Sequence, residues 1–255
     1  MSGFKIALQL YSIRHDCEKD LEKSLKAVAE MGYEGVELAG NYGKSAKEWK
    51  ELLDKFNLKV AGAHVPINLL QGEEFKNTVE FYRTLETKYI VIPALPKEMT
   101  QSKDDWLKIA DTFNEISEKL KNEGMRLGYH NHMIEFQPVD GKWPWYWLFD
   151  NLNPDIIMQL DTGNAMHAGV TNDDLIEIIK KYPGRATTVH LKEYSATNDK
   201  ALVGEGDVDF KKFIKTCEEF GKTEWYIIEQ ESYAYEPLEC VRISIENLKK
   251  ILKEI

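Results

Sequence analysis

The amino-acid sequence predicts an α/β fold, a single (β/α)8 TIM barrel that covers residues 1–255. Three observations lead to this prediction. Short apolar runs, each about the length of a buried strand, recur roughly eight times along the chain. Amphipathic helical segments lie between these runs, and glycines stand at several joints between a helix and the next strand. Strands that alternate with helices form parallel sheets through right-handed crossovers.

The predicted strands are the short apolar runs themselves. In chain order they are KIALQLY, GVELA, KVAGAH, YIVIPA, RLGYHNH, IIMQLD, TTVHLKE and WYIIEQE. Runs of this length also fit buried helices, so the assignment depends on the segments that separate them.

Four of the separating segments have the residue spacing of amphipathic helices. They are DLEKSLKAVAEMG, SAKEWKELLDKF, SKDDWLKIADTFNEISEKL and TNDDLIEIIKKY. The last three open with the spacing of a capping box, in the pairs Ser45/Glu48, Ser102/Asp105 and Thr171/Asp174. Glycines that we expect to end helices in the left-handed conformation are Gly32, Gly124, Gly184 and Gly221.

An open, doubly wound sheet is the alternative arrangement of such elements. That fold usually carries a glycine-rich phosphate-binding turn, and no G-x-G-x-x-G follows the first predicted strand. About eight strand–helix units in a chain of this length match the closed barrel instead. We find no linker or low-complexity segment, so the sequence indicates one domain.

The composition argues against several classes of protein. A net charge of −10 without a Lys/Arg run disfavours nucleic-acid binding, because proteins that hold phosphates present a basic face. Three widely spaced cysteines disfavour a disulfide framework or a zinc knuckle. No apolar run approaches the roughly 20 residues of a membrane span, and MSGFKIALQL lacks the pattern of a signal peptide. We expect a cytoplasmic protein that binds neither nucleic acid nor a membrane, and the sequence leaves a homo-oligomer open.

Acids and histidines gather where the predicted strands end. In a (β/α)8 barrel, the active site lies at the C-terminal ends of the strands. The residues at those positions are Glu37, His64, His130, His132, Glu135, Asp161, His190, Lys192, Glu229 and Glu231. Charged residues inside apolar strands are costly unless they are paired or bound to metal. Carboxylates and an imidazole around one point therefore indicate a divalent-metal site.

Each of these residues also has an ordinary structural interpretation. Asp161 alone fits a cap on a turn or helix, and His190 alone fits a hydrogen-bonded core histidine. Glu229 is harder to explain in this way, because it follows an apolar run that should be buried. Trp143, Trp145 and Trp147 indicate core, with a sugar-stacking platform as the alternative. The segment GEGDVDF fits a glycine turn before an Asp-capped helix, or a substrate loop that carries Glu205.

The chain resembles the xylose isomerase-like barrel superfamily, in particular its sugar phosphate isomerase/epimerase branch. The segments that carry the resemblance are LQLYSIR, GYEGVELAG, YHNHMIEF, LDTGNAMHAG, VHLKE, GEGDVDF and IIEQES. They occur in order along essentially the whole chain. Together they are specific for the superfamily and not for one substrate.

The resemblance implies a metal held by residues from strands five to eight. Carried over by position, the ligands are Glu135, Asp161, His190 and Glu229, with His130 as the alternative fifth-strand ligand. Glu135 is preferred because its charge offsets that of the metal. The implied cation is Mn²⁺, Mg²⁺ or Co²⁺, with Zn²⁺ as an alternative.

The implied reaction is proton abstraction beside the carbonyl of a sugar, keto-sugar or cyclitol, which gives isomerisation or epimerisation. Glu135 and Glu229 would exchange protons on opposite faces of the substrate, and Lys192 would stabilise negative charge. His132 would act on the substrate or support a ligand. The residues expected to bind substrate are Glu37, His64, His130, Asn164 and Glu205. We find no phosphate-binding turn, which favours an unphosphorylated substrate.

Three alternatives share part of this description. A metal-dependent lyase, such as an inosose dehydratase or a keto-glycoside-cleaving enzyme, would form the same enolate and then lose a β-substituent. An abasic-site DNA endonuclease would need more histidines and a basic surface than this chain has, with six histidines and a charge of −10. A non-catalytic sugar-binding barrel is the third alternative.

Overall fold

The computed structural model describes residues 5–255 and shows the predicted barrel. The strands within these residues are β1 Lys5–Gln9, β2 Gly35–Ala39, β3 Lys59–His64, β4 Tyr89–Ile92, β5 Arg126–His130, β6 Ile157–Gln159, β7 Thr188–Leu191 and β8 Trp225–Ile228. All neighbouring strands pair in parallel, in the order β6-β5-β4-β3-β2-β1-β8-β7.

The helices form the outer layer. Those described are α1 Arg14–Lys19, α2 Leu21–Met31, α3 Ala46–Phe56, α4 Glu74–Thr84, α5 Lys103–Asn122, α6 Pro144–Phe149, α7 Thr162–His167, α8 Asn172–Lys181, α9 Phe210–Thr216 and α10 Pro237–Leu252. Short 3₁₀ turns at Leu10–Ile13, Ile67–Leu70, Lys97–Met99 and Ile134–Phe136 follow strands, and a π turn spans Cys217–Gly221. None of the helices described in residues 5–255 is long and apolar enough to span a membrane.

The barrel closes between β6 and β7, where the described residues form an isolated parallel bridge in place of a longer ladder. This bridge joins Asp161 to His190, and the amide of His190 donates to the carbonyl of Leu160 at 3.0 Å. The amide of Met158 in β6 also donates to the carbonyl of Arg185, just before β7, at 2.7 Å, so contacts towards both ends of the strands close the barrel.

The core lies between the sheet and the helices. Its largest fully buried side chains include Trp49, Trp106 and Trp145, which come from α3, α5 and α6. A second apolar cluster comes from β1, β3, β4, β6 and β8, and its members are Ala7, Ala61, Tyr89, Ile157, Trp225 and Ile227. Trp145 is thus core, as predicted.

The predicted helix starts are confirmed. Ser45, Ser102 and Thr171 each form the complete capping box with the acidic residue three positions later. Asp209 caps α9 by accepting from the amide of Lys212 at 3.0 Å.

Three of the four predicted helix-ending glycines, Gly32, Gly124 and Gly184, have the expected positive φ. The prediction is wrong for Gly221, because the chain turns at Lys222 instead, with φ of 54°. A Cβ atom on Gly221 would lie 3.2 Å from Cβ of Ala186 and 2.8 Å from Oγ1 of Thr223. Close packing, and not left-handed backbone, explains this glycine.

Candidate metal centre

Four buried side chains converge where β5 to β8 end. His130 is the last residue of β5, Asp161 follows β6, His190 lies in β7 and Glu229 follows β8. One potential ligand atom from each lies within 4.8 Å of the others. We call these four residues the metal-site cluster. Three of them were predicted as ligands, and the fourth is the predicted alternative to Glu135.

Asp161 both caps a helix and presents an oxygen to the cluster. Its Oδ1 accepts from the amide of Asn164 at 2.6 Å and so caps α7. Its Oδ2 is buried without a hydrogen-bond partner in the described part of the chain. The backbone amide of Asp161 donates to Oδ1 of Asn131 at 2.8 Å, which ties the residue to the end of β5. Helix capping therefore uses only one of the two carboxylate oxygens.

His190 lies among three carboxylates. Its Nε2 is 2.6 Å from Oε2 of Glu37, and its Nδ1 is 3.0 Å from Oε2 of Glu229 and 3.6 Å from Oδ2 of Asp161. Burial alone would lower the pKa of His190, but the charge of Glu37 and the hydrogen bonds to the carboxylates raise it well above its usual range. Because Nε2 is held by Glu37, Nδ1 is the nitrogen that faces the cluster.

Glu37 lies beneath the cluster and is fully buried inside the barrel. It accepts hydrogen bonds from the side-chain amides of Gln9 and Gln159, both at 2.7 Å. Burial would raise the pKa of Glu37, but His64 and His190 lower it. Gly62 makes room for this carboxylate, since a Cβ atom there would lie 2.9 Å from Oε1. Glu37 was predicted to bind substrate, but the structure places it on the far side of His190.

His130 is a buried imidazole without an ion-pair partner at short range. Its Nδ1 has no hydrogen-bond partner among residues 5–255, and its Nε2 lies 3.9 Å from Oε2 of Glu229. Burial and the neighbouring imidazoles of His190 and His64 lower its pKa well below the usual range. A neutral imidazole keeps a lone pair for a ligand bond.

Lys192 brings a positive charge to the edge of the cluster. Its Nζ donates to Oδ1 of Asn164 at 3.0 Å and to the carboxylate of Glu231. Burial would lower the pKa of Lys192, but Glu229, Asp161 and Glu231 raise it. The side-chain amide of Asn164 also donates to the carbonyl of Asn131 at 3.1 Å, so Asn164 supports this end of β5 and β7.

Glu135 does not reach the metal-site cluster. The 3₁₀ turn Ile134–Phe136 brings its carboxylate back to β5, where it accepts from the Tyr129 hydroxyl and, at 2.8 Å, from the amide of His132. Tyr129 precedes His130 in β5 and packs against Phe113 on the helical side of the sheet. The structure therefore places Glu135 behind the strand, and His130 takes the predicted fifth-strand position in the cluster.

A cavity of about 710 Å³ opens above the cluster. His64, His130, His132 and Glu229 line it at the cluster end. Among the residues that the structure describes, no Lys or Arg lines this cavity. The half-buried rings of Trp143 and Trp147 do not line it either, so the structure does not place them as a sugar platform.

Glu205 lies on an exposed loop and does not line the cavity. Its carboxylate accepts from the amide of Leu202 at 3.1 Å, within its own loop. The residue that holds this loop is Glu193, which accepts from the amides of Gly204 at 2.7 Å and Val208 at 3.1 Å. Glu193 directly follows a buried strand in VHLKE, and an acidic residue at such a position is the signal that could have identified it.

The other site residues to which the sequence assigns no role are buried amides. Gln9, Asn131 and Gln159 hold the acidic groups of the site from below and from the side. Their signal was a polar residue within, or directly after, an apolar run, as for Gln159 in IIMQLD.

The cluster fits a divalent cation. Its four residues offer two carboxylates and two imidazoles in a buried site. Two of its buried polar atoms, Nδ1 of His130 and Oδ2 of Asp161, have no hydrogen-bond partner among the described residues. Buried polar atoms are almost always paired, so the unpaired Oδ2 of Asp161, which lies 3.6 Å from Nδ1 of His190, indicates an ion or ligand at the cluster.

A parallel barrel with such a group at the C-terminal ends of its strands has the architecture of barrel enzymes, whose active sites lie at that end. The family model described as "Xylose isomerase-like TIM barrel" matches residues 25–251. The chain belongs to this family, which confirms the resemblance seen in the sequence.

The chain is similar to curated and solved relatives at low identity. It is 23% identical over 250 residues to inosose dehydratase of Serratia proteamaculans and 24% identical over 255 residues to that of Clostridium botulinum, each covering 84% of this chain and 83% of the relative. A sugar phosphate isomerase/epimerase from Parabacteroides distasonis superposes with a TM-score of 0.80 at 24% identity, over 98% of this chain and 94% of that one.

Two further solved structures share the fold. An IolI protein described with a zinc atom gives a TM-score of 0.74 at 16% identity. D-psicose 3-epimerase in the presence of D-fructose gives 0.68 at 14% identity. Each alignment covers 98% of this chain and 99% of the other.

Proposed function

We propose that the protein is a divalent-metal-dependent enzyme that removes a proton beside the carbonyl of an unphosphorylated sugar, keto-sugar or cyclitol. The observation that carries the proposal is the buried metal-site cluster, with two unpaired polar atoms, at the floor of a large cavity. The absence of Lys and Arg from the described lining argues against a phosphorylated substrate, because phosphate groups are usually bound by basic side chains.

The proposed ligands are His130, Asp161, His190 and Glu229. When bound, the cation supplies Lewis-acid polarisation of the carbonyl and aligns the neighbouring oxygens. Two imidazoles and two carboxylates favour Mn²⁺, Co²⁺ or Zn²⁺ over Mg²⁺, which prefers oxygen ligands. This differs from the set of three carboxylates and one imidazole that the sequence favoured. Glu37 would fix the orientation of His190 through Nε2.

The residues that face the cavity would carry the proton transfers. Glu229 is both in the cluster and in the cavity lining, and its lowered pKa keeps it ionised and able to accept a proton. Burial opposes this ionisation, but the charges of Lys192 and His190 outweigh it. His132, which is exposed and lines the cavity, would donate a proton to a leaving hydroxyl. Lys192 would offset negative charge that develops on the substrate.

β-Elimination is the favoured outcome of this proton abstraction. Epimerisation by two carboxylates on opposite faces would need Glu135 beside Glu229, and Glu135 is held behind β5. In elimination, Glu229 takes the proton, a carbon–carbon double bond forms, and the β-hydroxyl leaves as water after it is protonated. The named relatives support a dehydratase. Isomerisation or epimerisation remains the second candidate, favoured by the solved epimerase with the same fold.

The test is to incubate the protein, loaded separately with Mn²⁺, Co²⁺, Zn²⁺ or Mg²⁺, with keto-sugars and keto-cyclitols in D₂O and to follow the products by NMR. We expect deuterium at the carbon beside the carbonyl together with an unsaturated ketone, and loss of both on chelation. Deuterium in an epimer or isomer that has lost no water would favour the second candidate. Absence of exchange with every cation, or exchange that survives chelation, would reject the proposal.

A further inference from the structure

The cavity above the metal-site cluster extends well beyond the space that a sugar ring needs. Its volume of about 710 Å³ lies within the range of roughly 300–1,000 Å³ that encloses drug-sized ligands, which are much larger than a monosaccharide. The cluster occupies only one end. The other end leads away from the barrel axis, over the loops that follow β3 and β4, to the inner face of α4.

Apolar side chains form most of the wall of this second end. We call them the apolar arm, and they are Pro66, Leu69, Phe81, Tyr82, Pro93 and Ala94. The polar side chains of Glu74, Asn77 and Thr78, also in α4, line the cavity as well. Leu69 belongs to the 3₁₀ turn after β3, and Phe81 and Tyr82 belong to α4. The rings of Phe81 and Tyr82 meet edge to face, with centroids 5.1 Å apart. The arm is thus formed by side chains that also pack against the core.

A ring at the mouth of the cavity adds an aromatic surface. Tyr11 lines the cavity and is 42% exposed, and the guanidinium of Arg14 lies 4.3 Å from the centroid of its ring. Sugar hydroxyls placed against the apolar arm would lose water without gaining hydrogen bonds, which is costly. An apolar group placed there would gain from leaving water.

Charge also limits what the arm can accept. Within the described residues, the titratable side chains that line the cavity from α4 are the exposed Glu74 and the buried Tyr82, and burial raises the pKa of the Tyr82 hydroxyl. A phosphate or carboxylate on this part of the substrate would meet negative charge and no basic partner. The occupant is therefore a neutral group.

We propose that the substrate is a glycoside-like compound, whose sugar or keto-sugar ring lies over the metal-site cluster while a neutral, apolar, ring-bearing substituent fills the apolar arm. This inference rests on the proposed function, because that function places the sugar ring at the cluster. It adds a substrate class that a free sugar or cyclitol does not satisfy.

The inference is tested by calorimetry with matched pairs of unoxidised glycosides. The pairs are the methyl and phenyl α- and β-glycosides of glucose, galactose and mannose, which lack the keto group and so allow binding to be measured without turnover. We expect the phenyl member of at least one pair to bind about tenfold more tightly than its methyl partner, as apolar pockets discriminate by 10–200-fold per added group.

Two variants and one control show where the phenyl ring binds. Phe81→Ala and Leu69→Ala should each remove most of the phenyl advantage and leave methyl glycoside binding unchanged. Phe75→Ala is the matched control, because Phe75 is a half-buried phenylalanine in the same helix that does not line the cavity. In the Phe75→Ala variant, the ratio of phenyl glycoside affinity to methyl glycoside affinity should equal that of the parent protein.

The inference is overturned if no phenyl glycoside binds measurably, if the pairs bind equally, or if the advantage survives in both variants. Its failure is distinct from failure of the proposed function. The proposed function fails when keto-sugars show no metal-dependent deuterium exchange. The preference for a phenyl over a methyl substituent is measured separately, with glycosides that cannot react.

Discussion

The two ends of the barrel both bury charged side chains, but they treat them differently. At the N-terminal end, Arg185 donates to the carbonyl oxygens of Ile156, Phe149 and Asn153, each at 3.1 Å. Arg126 donates twice to the carbonyl of Asp155 and once to Thr187. At the C-terminal end, His130 and Asp161 keep buried atoms without partners among the described residues.

This difference distinguishes buried side chains that stabilise the fold from buried side chains that can still bind a ligand. A buried cation whose hydrogen bonds go to backbone carbonyls, as those of Arg185 do, ties neighbouring loops together. Buried groups with unused capacity destabilise the protein on their own, and such groups concentrate at functional sites. The comparison therefore predicts that substitutions at one end affect function and at the other end affect stability.

The largest expected effect is at Glu229. Glu229→Gln should lower the turnover of a keto-sugar by at least about 10²–10⁴-fold, because it removes the proposed base and a ligand charge. The measurement is the initial rate by NMR in metal-loaded protein. Glu224→Gln is the control, since Glu224 precedes the same strand at the opposite end and only accepts from the Tyr89 hydroxyl at 2.7 Å. Equal losses in both variants would contradict the comparison.

The next effect concerns stability. Arg185→Met should lower the free energy of unfolding by about 3 kcal/mol, because three carbonyl oxygens lose their donor in a buried place. Urea unfolding measures this change. Arg83→Met, at an exposed surface ion pair with Glu123, should change it by less than about 1 kcal/mol. Folded Arg185→Met protein should bind the cation as the parent does, and loss of cation binding without loss of stability would break the comparison.

The smallest effect distinguishes the two candidates for the fifth-strand ligand. His130→Gln should weaken cation binding by about 10–100-fold, whereas Glu135→Gln should change it by less than about threefold. Competition with a chromophoric chelator measures both affinities. If Glu135→Gln shows the larger loss, the carboxylate favoured by the sequence is the ligand, and the loop around it rearranges on binding.

Much of the fold and of the candidate site could be predicted from the residues at the C-terminal ends of the predicted strands. The positions of Asp161, His190 and Glu229 were predictable because parallel strands in a barrel bring their C-terminal ends together. The capping boxes were predictable because they depend only on local spacing. These features need no knowledge of long-range geometry.

The remaining features depend on how deep a side chain lies in the barrel and on which way it points, and neither is encoded by a local sequence pattern. His130 and Tyr129 are adjacent, but side chains alternate along a strand, so one faces the barrel interior and the other faces the helices. The direction of the turn after β5 decides where Glu135 goes, and no local pattern encodes it. Glu37 was placed correctly on β2 but lies too deep to meet a substrate. The apolar arm was missed because Phe81 and Leu69 look like ordinary packing residues.

The closure of the barrel has a further consequence. Within the described residues, β6 and β7 are joined by the bridge between Asp161 and His190 and by the hydrogen bond from the amide of Met158 to the carbonyl of Arg185. Asp161 and His190 are also proposed ligands, so an ion bound by both residues would link β6 to β7. Binding of the ion would then also stabilise the closed barrel, by an amount that depends on the affinity of the protein for the ion.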